Sequence, residues 1–178
     1  MTQVIITEKP SVAEDLSKQL GNFVKKDFYF QSTNQIISWT YGHLFELAKP
    51  NEINSEWRNW NLEKLPIIPK KWPLKIIEQH KNHCQKLLSL IQKDSVSELI
   101  SATDAGREGE LIFRFLYHYA KSKKPVRRLW LKSMTESAIK SAWKNMKKNH
   151  HYDQLASSAL ARAKADWLIG MNFSRLYS

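Results

Sequence analysis

The stretch SELISATDAGREGELIFRFLY, residues 97 to 117, decides the fold class. Ser97 to Ala102 is short and apolar enough for a buried strand. Leu111 to Tyr117 is dense and apolar enough for a packed helix. Between them lie Asp104, Glu108 and Glu110, so the acids sit in or just after a strand-to-helix turn. In open α/β sheets such turns lie at the carboxyl edge, where ligands bind. Gly106 and Gly109 let backbone come close to a ligand or take positive φ. Three acids beside Arg107 suit Mg²⁺ plus a phosphate: oxygen ligands for the hard cation, a guanidinium for the anion. The same acids also suit the first turn of any helix through its dipole, so this stretch alone leaves both readings open.

A second turn of the same kind stands near the start of the chain. Gln3 to Thr7 is β-branched and uncharged, a buried strand, and Glu8-Lys9-Pro10-Ser11 breaks it. Ser11 and Glu14 fit a Ser-x-x-Glu capping box, which predicts a helix opening there. Val12, Leu16 and Leu20 would form its inner face, with Gly21 ending it. If this strand runs parallel to the one ending near Ala102, Glu8 and Asp104 share one sheet edge. Two turns far apart in sequence would then converge on one site.

Between these turns, Asp27 to Ser32 and Gln35 to Tyr41 read as a β-hairpin around Thr33-Asn34. His43 follows, as a structural residue or a phosphate contact. Residues 50 to 73 carry Pro50, Pro66, Pro69 and Pro73 with Trp57, Trp60 and Trp72. Large apolar groups argue against a disordered linker. The tryptophans either pack against the sheet or offer bases a stacking surface. Lys75 to Lys93 reads as a helix with Cys84, Leu87, Leu88 and Ile91 near one face. His80, His83 and Cys84 have ligand-compatible spacing, but His80 and Cys84 fall on that apolar stripe, so packing is the better reading.

Beyond the acidic stretch, Val126 to Leu131 predicts a strand, and Ser133-Met134-Thr135-Glu136 a second capping box. The helix it opens has Ala138, Ile139, Ala142 and Trp143 inside and Lys140, Lys144, Lys147 and Lys148 outside. Asp153 is placed to cap a last long helix from Gln154 to Leu168 or beyond. On it Arg162 and Asp166 are four apart and share a face, as a surface ion pair or as an arginine aimed at phosphate. Asn172, Ser174 and Arg175 add polar groups. The order of elements predicts α/β architecture around a largely parallel sheet flanked by helices, with a helical C-terminal extension.

Composition narrows the partners. The chain has 178 residues and a formal net charge of +11, from 28 Lys and Arg against 17 Asp and Glu. That excess points to an anionic partner, nucleic acid first and an acidic membrane surface second. Cys84 is the only cysteine, so an intrachain disulfide and a Cys-rich zinc site are excluded. With no signal-peptide pattern, a reducing cytoplasm is expected. No apolar run approaches a membrane span.

Four stretches together resemble type IA DNA topoisomerases of the bacterial topoisomerase III branch. They are ITEKPS from Ile6 to Ser11, YGHLFEL from Tyr41 to Leu47, TDAGREGE from Thr103 to Glu110, and ARAKADWLIGMN from Ala161 to Asn172. They occur in the family's order. The resemblance implies a Toprim domain, a Rossmann-like fold, over residues 1–150, and the start of a helical single-stranded-DNA-binding domain over 151–178. It implies that Glu8 handles the proton at the scissile oxygen and that Lys9 supports the phosphate. It further implies that Asp104 and Glu108 belong to a Mg²⁺-binding pattern, with Asp104 central and Glu8 or Glu108 assisting. Arg162 would contact the DNA backbone beside Asp166; Arg175 is a further candidate DNA contact, and Arg107 either braces the acids or contacts phosphate. The implied enzyme is an ATP-independent, monomeric, nucleoid-associated isomerase that cuts, passes and religates single strands through a 5′-phosphotyrosyl link.

Two departures from the pattern matter. Gly106 stands where many relatives carry a second aspartate, which predicts weaker but retained Mg²⁺ binding, since Mg²⁺ needs only one or two protein carboxylates. The chain stops at Ser178 with no tyrosine in the matching nucleophile motif, so it reads as an inactive amino-terminal fragment. Two competing readings use the same residues. One is another Toprim enzyme, a nuclease or primase-like protein with metal-activated water. The other is a non-catalytic DNA-binding module.

Overall fold

The computed structural model describes residues 1–177. Its centre is β1 (Thr2–Thr7), whose run from Val4 to Thr7 is wholly buried. A strand with both faces covered has no need of polar alternation, which is why the sequence reads as a continuous apolar run. From β1 the chain enters α1 (Pro10–Leu20). It then forms two short strands, β2 (Val24–Lys25) and β3 (Phe30–Gln31), and returns as β4 (Gln35–Trp39) beside β1. A small two-stranded sheet follows, β5 (Phe45–Leu47) with β6 (Leu74–Ile76), and holds α2 (Pro50–Ile53) in its connection. Next come α3 (Lys81–Gln92), β7 (Val96–Ala102), α4 (Arg107–Tyr119) and β8 (Val126–Arg128). The chain closes with α5 (Glu136–Lys144), β9 (Lys147–Lys148) and α6 (Asp153–Leu176).

The main sheet has seven strands in the order β2-β3-β4-β1-β7-β8-β9. β4, β1, β7 and β8 are parallel, while β2, β3 and β9 are antiparallel additions at the edges. Odd and even residues of the central strands feed two separate cores. Val4, Ile6, Ile36 and Leu99 pack with Cys84, Leu87, Leu111 and Leu116 of α3 and α4. Ile5, Ile37, Ile100 and Ala102 pack with Ala13 and Leu16 of α1 and Ile139 of α5. This is the period-two side-chain alternation of a strand, read into two helical layers. The outcome is the expected α/β fold, with α6 laid against α4 as the C-terminal helical extension.

Several local expectations are corrected. Helix α1 starts at Pro10 with Lys9 as its N-cap and no side-chain cap, so Ser11 and Glu14 form no capping box. Pro at the first helical position nucleates the turn because its missing N–H has no partner to lose there. Glu14 instead pairs with Lys18 at 2.9 Å. Residues 75 and 76 are strand β6, and α3 begins only at Lys81, because pairing with β5 outweighs helix propensity at that end. At α5 the cap is Thr135, whose hydroxyl accepts from the Ala138 amide at 3.4 Å, not Ser133. Lys147 and Lys148 lie in β9 rather than on a helix face. Within residues 50 to 73, Trp72 packs inward while Trp60 stays exposed. Trp72 meets Trp167 of α6 edge to face at 5.3 Å, and Trp167 Nε1 donates to the Ala48 carbonyl at 3.0 Å.

Candidate functional site

The site is built where β1 and β7 end side by side. Their register pairs Thr7 with Ala102, so the residues that follow emerge at the same carboxyl edge. β1 is also where the chain changes direction, with β4 on one side and β7 on the other. That switch point opens a crevice above the sheet.

Backbone contacts fix the first turn. The Gly42 amide donates to the Glu8 carbonyl at 3.0 Å and the Thr40 amide to the Thr7 carbonyl at 3.1 Å. Thr7 Oγ1 donates to the Lys9 carbonyl at 3.0 Å. The Glu8 side chain is only 13% exposed, and its Oε2 is buried without a hydrogen-bond partner. Lys9 Nζ lies 3.8 Å from Glu8 Oε1 and 3.4 Å from Asp104 Oδ2. One ammonium thus bridges acids 96 positions apart in sequence.

The second turn is held from below by a residue that none of the sequence motifs contains. Arg128 is fully buried at the end of β8. Its Nη1 donates to the carbonyls of Ser101 at 3.0 Å and Thr103 at 2.8 Å, and its Nη2 to the carbonyl of Asp104 at 2.8 Å. Its Nε reaches Glu110 Oε2 at 3.1 Å. Burial pulls the guanidinium below its usual pKa, and the Glu110 charge opposes that pull. Glu110 therefore faces inward and belongs to no ligand site. It is fully buried and shared between Arg128 and Arg114, whose Nε donates to Oε1 at 2.8 Å. A buried carboxylate survives only when paired in this way. In sequence, the one available signal was the arginine pair at 127 and 128 inside the expected Val126–Leu131 strand. Gly109 closes the turn, for a Cβ there would lie 2.2 Å from the Asp104 carbonyl oxygen.

Glu108 points elsewhere. Its Oε2 lies 3.4 Å from His43 Nε2, which brings the YGHLFEL stretch to the acidic turn. His43, Glu108, Arg162 and Asp166 line one cleft of about 360 Å³ between the sheet edge and α6, with Phe45, Phe115 and Trp167 as its apolar wall. Arg162 Nε and Asp166 Oδ2 are 3.6 Å apart on the exposed face of α6. Arg107 is exposed at the start of α4.

Residues 3–134 match the Toprim domain family. The chain belongs to the Toprim family. A protein named DNA topoisomerase 3 from Bacillus cereus is 42% identical over 172 residues, covering 97% of this chain and 24% of that relative. Another of that name from Staphylococcus epidermidis is 41% identical over 175 residues, 98% of this chain and 25% of the relative. This Toprim chain therefore spans about a quarter of the length of these relatives. Full-length topoisomerase I from Thermotoga maritima has the same fold over 93% of this chain and 24% of its own, with a TM-score of 0.61 at 21% identity.

The Toprim edge does not collect every expected residue. Glu8, Lys9 and Asp104 meet, and Glu108 pairs with His43. Among the described residues no group of three or more His, Cys, Asp or Glu side chains is gathered to hold a metal. Arg175, expected as a DNA contact, is 7% exposed. Its Nη2 donates to the Trp57 carbonyl and its guanidinium sits 5.5 Å from the Trp60 ring centre. It pins the tryptophan-rich segment to α6, since a long side chain can bury its stem and stack its head. Asn172 ties down the same segment. Its Oδ1 accepts from the Ile67 amide at 2.6 Å and its Nδ2 donates to the Ile67 carbonyl at 3.0 Å. Among the described residues no helix is long and apolar enough to cross a membrane.

Proposed function

We propose that this chain is the amino-terminal Toprim part of a type IA DNA topoisomerase of the III kind, with the attacking tyrosine supplied outside these residues. One observation carries the reading: Lys9 lies between Glu8 and Asp104 at the switch point of the sheet. Two carboxylates and an ammonium at that place suit a divalent cation together with a phosphodiester, and the relatives named DNA topoisomerase 3 match 97–98% of the chain at 41–42% identity.

The donors fit a hard divalent cation. Glu8 Oε2 is buried without a partner, Asp104 is half exposed, and Mg²⁺ keeps several waters beside one or two carboxylates. Asp104 and Glu8 would hold it, with Glu108 assisting from its place beside His43. When bound, the metal supplies positive charge that fixes a DNA phosphate. Lys9 directs its ammonium at the same phosphate and stabilises charge that develops on it. Glu8 holds or moves the proton at the 3′-oxygen of the opened strand. Arg162 binds a backbone phosphate and Asp166 orients it; Arg107 adds a second guanidinium at the mouth of the turn. Residues from 151 onward open the domain that cradles the single strand.

Two measurements test the proposal. In titration calorimetry, Asp104→Ala is expected to weaken Mg²⁺ binding by on the order of tenfold or more, the loss of one charged ligand. Joined to the remainder of the 42%-identical relative, the chain is expected to restore ATP-independent relaxation of negatively supercoiled plasmid. The Glu8→Ala form of that hybrid should relax nothing, and relaxation by it would defeat the assignment of Glu8.

A further inference from the structure

Beside the acids lies an aromatic ledge that the reaction chemistry leaves unused. After β4 the chain turns through Tyr41 at φ 58° and Gly42 at φ 78°. The left-handed region is natural for Gly42 and costly for a bulky residue such as Tyr41. The other described non-glycine residues with positive φ, Asn22 and Lys121, lie just past the ends of α1 and α4. Helices routinely end in that conformation. Tyr41 has no such reason. The residue is nonetheless 46% exposed, so the strain is not spent on filling the core.

The ring has a built support. His80 lies nearly parallel to it, with centroids 6.0 Å apart and planes at 11°. His83 meets it edge-on at 4.6 Å, and Trp39 stands nearly perpendicular at 6.1 Å. His83 is itself anchored, its Nε2 donating to the Trp39 carbonyl at 2.7 Å. The turn also ties the ledge to the site. Gly42, next in the chain, donates its amide to the Glu8 carbonyl, and His43 follows against Glu108.

We propose that Tyr41, backed by His80 and His83, is a stacking subsite for one nucleobase of a single DNA strand whose phosphate lies at Lys9. The inference rests on the DNA-processing reading above. It names a contact to the base, where the residues already assigned touch only the sugar-phosphate backbone. A base needs a flat, half-open aromatic face held rigidly beside positive charge. The ledge supplies the face, and Lys9 and the net charge of +11 supply the charge. Stacking of this kind accepts any base, because every base has a π-face.

The test is binding of a short fluorescein-labelled oligothymidine by the 178-residue chain, followed by anisotropy at several salt concentrations. Tyr41→Ala is expected to lose roughly 5- to 100-fold in affinity, while Tyr41→Phe and Tyr41→Trp stay within about threefold of the parent. The slope of log K against log salt should not change in Tyr41→Ala, since a ring releases no counterions. In Lys9→Ala it should fall by about 0.7. A scan of single abasic positions in the oligonucleotide, with the unaltered protein, should show one position that loses the factor lost in Tyr41→Ala. That scan decides the matter even if Tyr41→Ala fails to fold. Wild-type affinity in Tyr41→Ala, equal losses in Tyr41→Phe and Tyr41→Ala, or a flat abasic scan overturns the subsite while leaving the topoisomerase reading intact. No binding of the strand by the unaltered chain overturns both.

Discussion

Gly109→Ala puts two physical effects in direct opposition. Residue 109 lies in the first turn of α4, where helix propensity alone favours alanine over glycine by about 1 kcal/mol. The tertiary structure reverses the sign. An added Cβ would stand 2.2 Å from the Asp104 carbonyl oxygen, 2.8 Å from its amide nitrogen and 2.9 Å from its carbonyl carbon. Ordinary C···O contact begins near about 3.3 Å, so backbone must shift by roughly 1 Å. The atoms struck belong to no flexible side chain. The Asp104 oxygen is held by Arg128 Nη2 at 2.8 Å and the Gly106 amide at 2.9 Å, while Thr103 Oγ1 donates to the Gly109 carbonyl at 2.7 Å. Overpacking costs about 1–3 kcal/mol and each weakened hydrogen bond about 1 kcal/mol, giving about 2–5 kcal/mol in all. At roughly 2–4 °C per kcal/mol for a chain of this size, Tm should fall by about 5–20 °C in a circular-dichroism melt. Mg²⁺ affinity should fall with it, because Asp104 is the residue displaced. A Tm equal to or above that of the parent would refute the close approach and, with it, the account of how Asp104 is positioned.

Further outcomes are expected at neighbouring positions. Gly106 is extended, at φ −178°, and a Cβ there meets nothing within 4 Å. Gly106→Asp should therefore keep its stability within about 0.5 kcal/mol and raise Mg²⁺ affinity by roughly tenfold; calorimetry showing no gain would count against a metal at this turn. Glu110→Gln, which leaves buried Arg128 short of its counter-charge, should lose about 3–5 kcal/mol in urea unfolding, whereas exposed Glu108→Gln should lose less than about 0.5 kcal/mol. Similar losses in the two would mean Glu110 is not the charge that matters. Burial, opposed by the hydrogen bond to the Trp39 carbonyl, holds the His83 pKa below its ordinary value. Below about pH 6.5 the unfolded chain thus binds more protons at this residue than the folded one. Its contribution to stability is complete above that pH and lost as pH falls, so His83→Gln should flatten that part of a melting-temperature profile. An unchanged slope would assign the acid sensitivity to other groups.

How much of this was legible depends on whether the signal was local. The acidic turn, the first strand and the α/β order could be read because a buried parallel strand and a packed helix leave dense apolar runs separated by polar turns. Helix starts were less legible. Ser11 and Ser133 each fit a capping pattern, yet Pro10 and Thr135 set the starts, because several residues in a short polar stretch can cap and only packing selects one. Lys75 and Ile76 carried a helical pattern and became strand because β5 offered a partner.

Among charged residues the same division holds. Residue type and spacing proposed Glu8, Lys9 and Asp104, and a shared sheet edge follows from two parallel strands whose ends are in register. Nothing in the spacing of Asp104, Glu108 and Glu110 says which acid turns inward. That is decided by Arg128, 18 residues beyond Glu110, and by Arg114, which together neutralise a carboxylate that water no longer reaches. Likewise the sequence placed Arg175 among polar residues near the end of a helix, and only the arrival of Trp57 and Trp60 buried it. Local pattern determines which segments form strands, turns and helices, because it acts through neighbouring residues. The fate of each charge is settled by which distant group reaches it, since an ion's free energy depends on its whole surroundings rather than on its place in the chain.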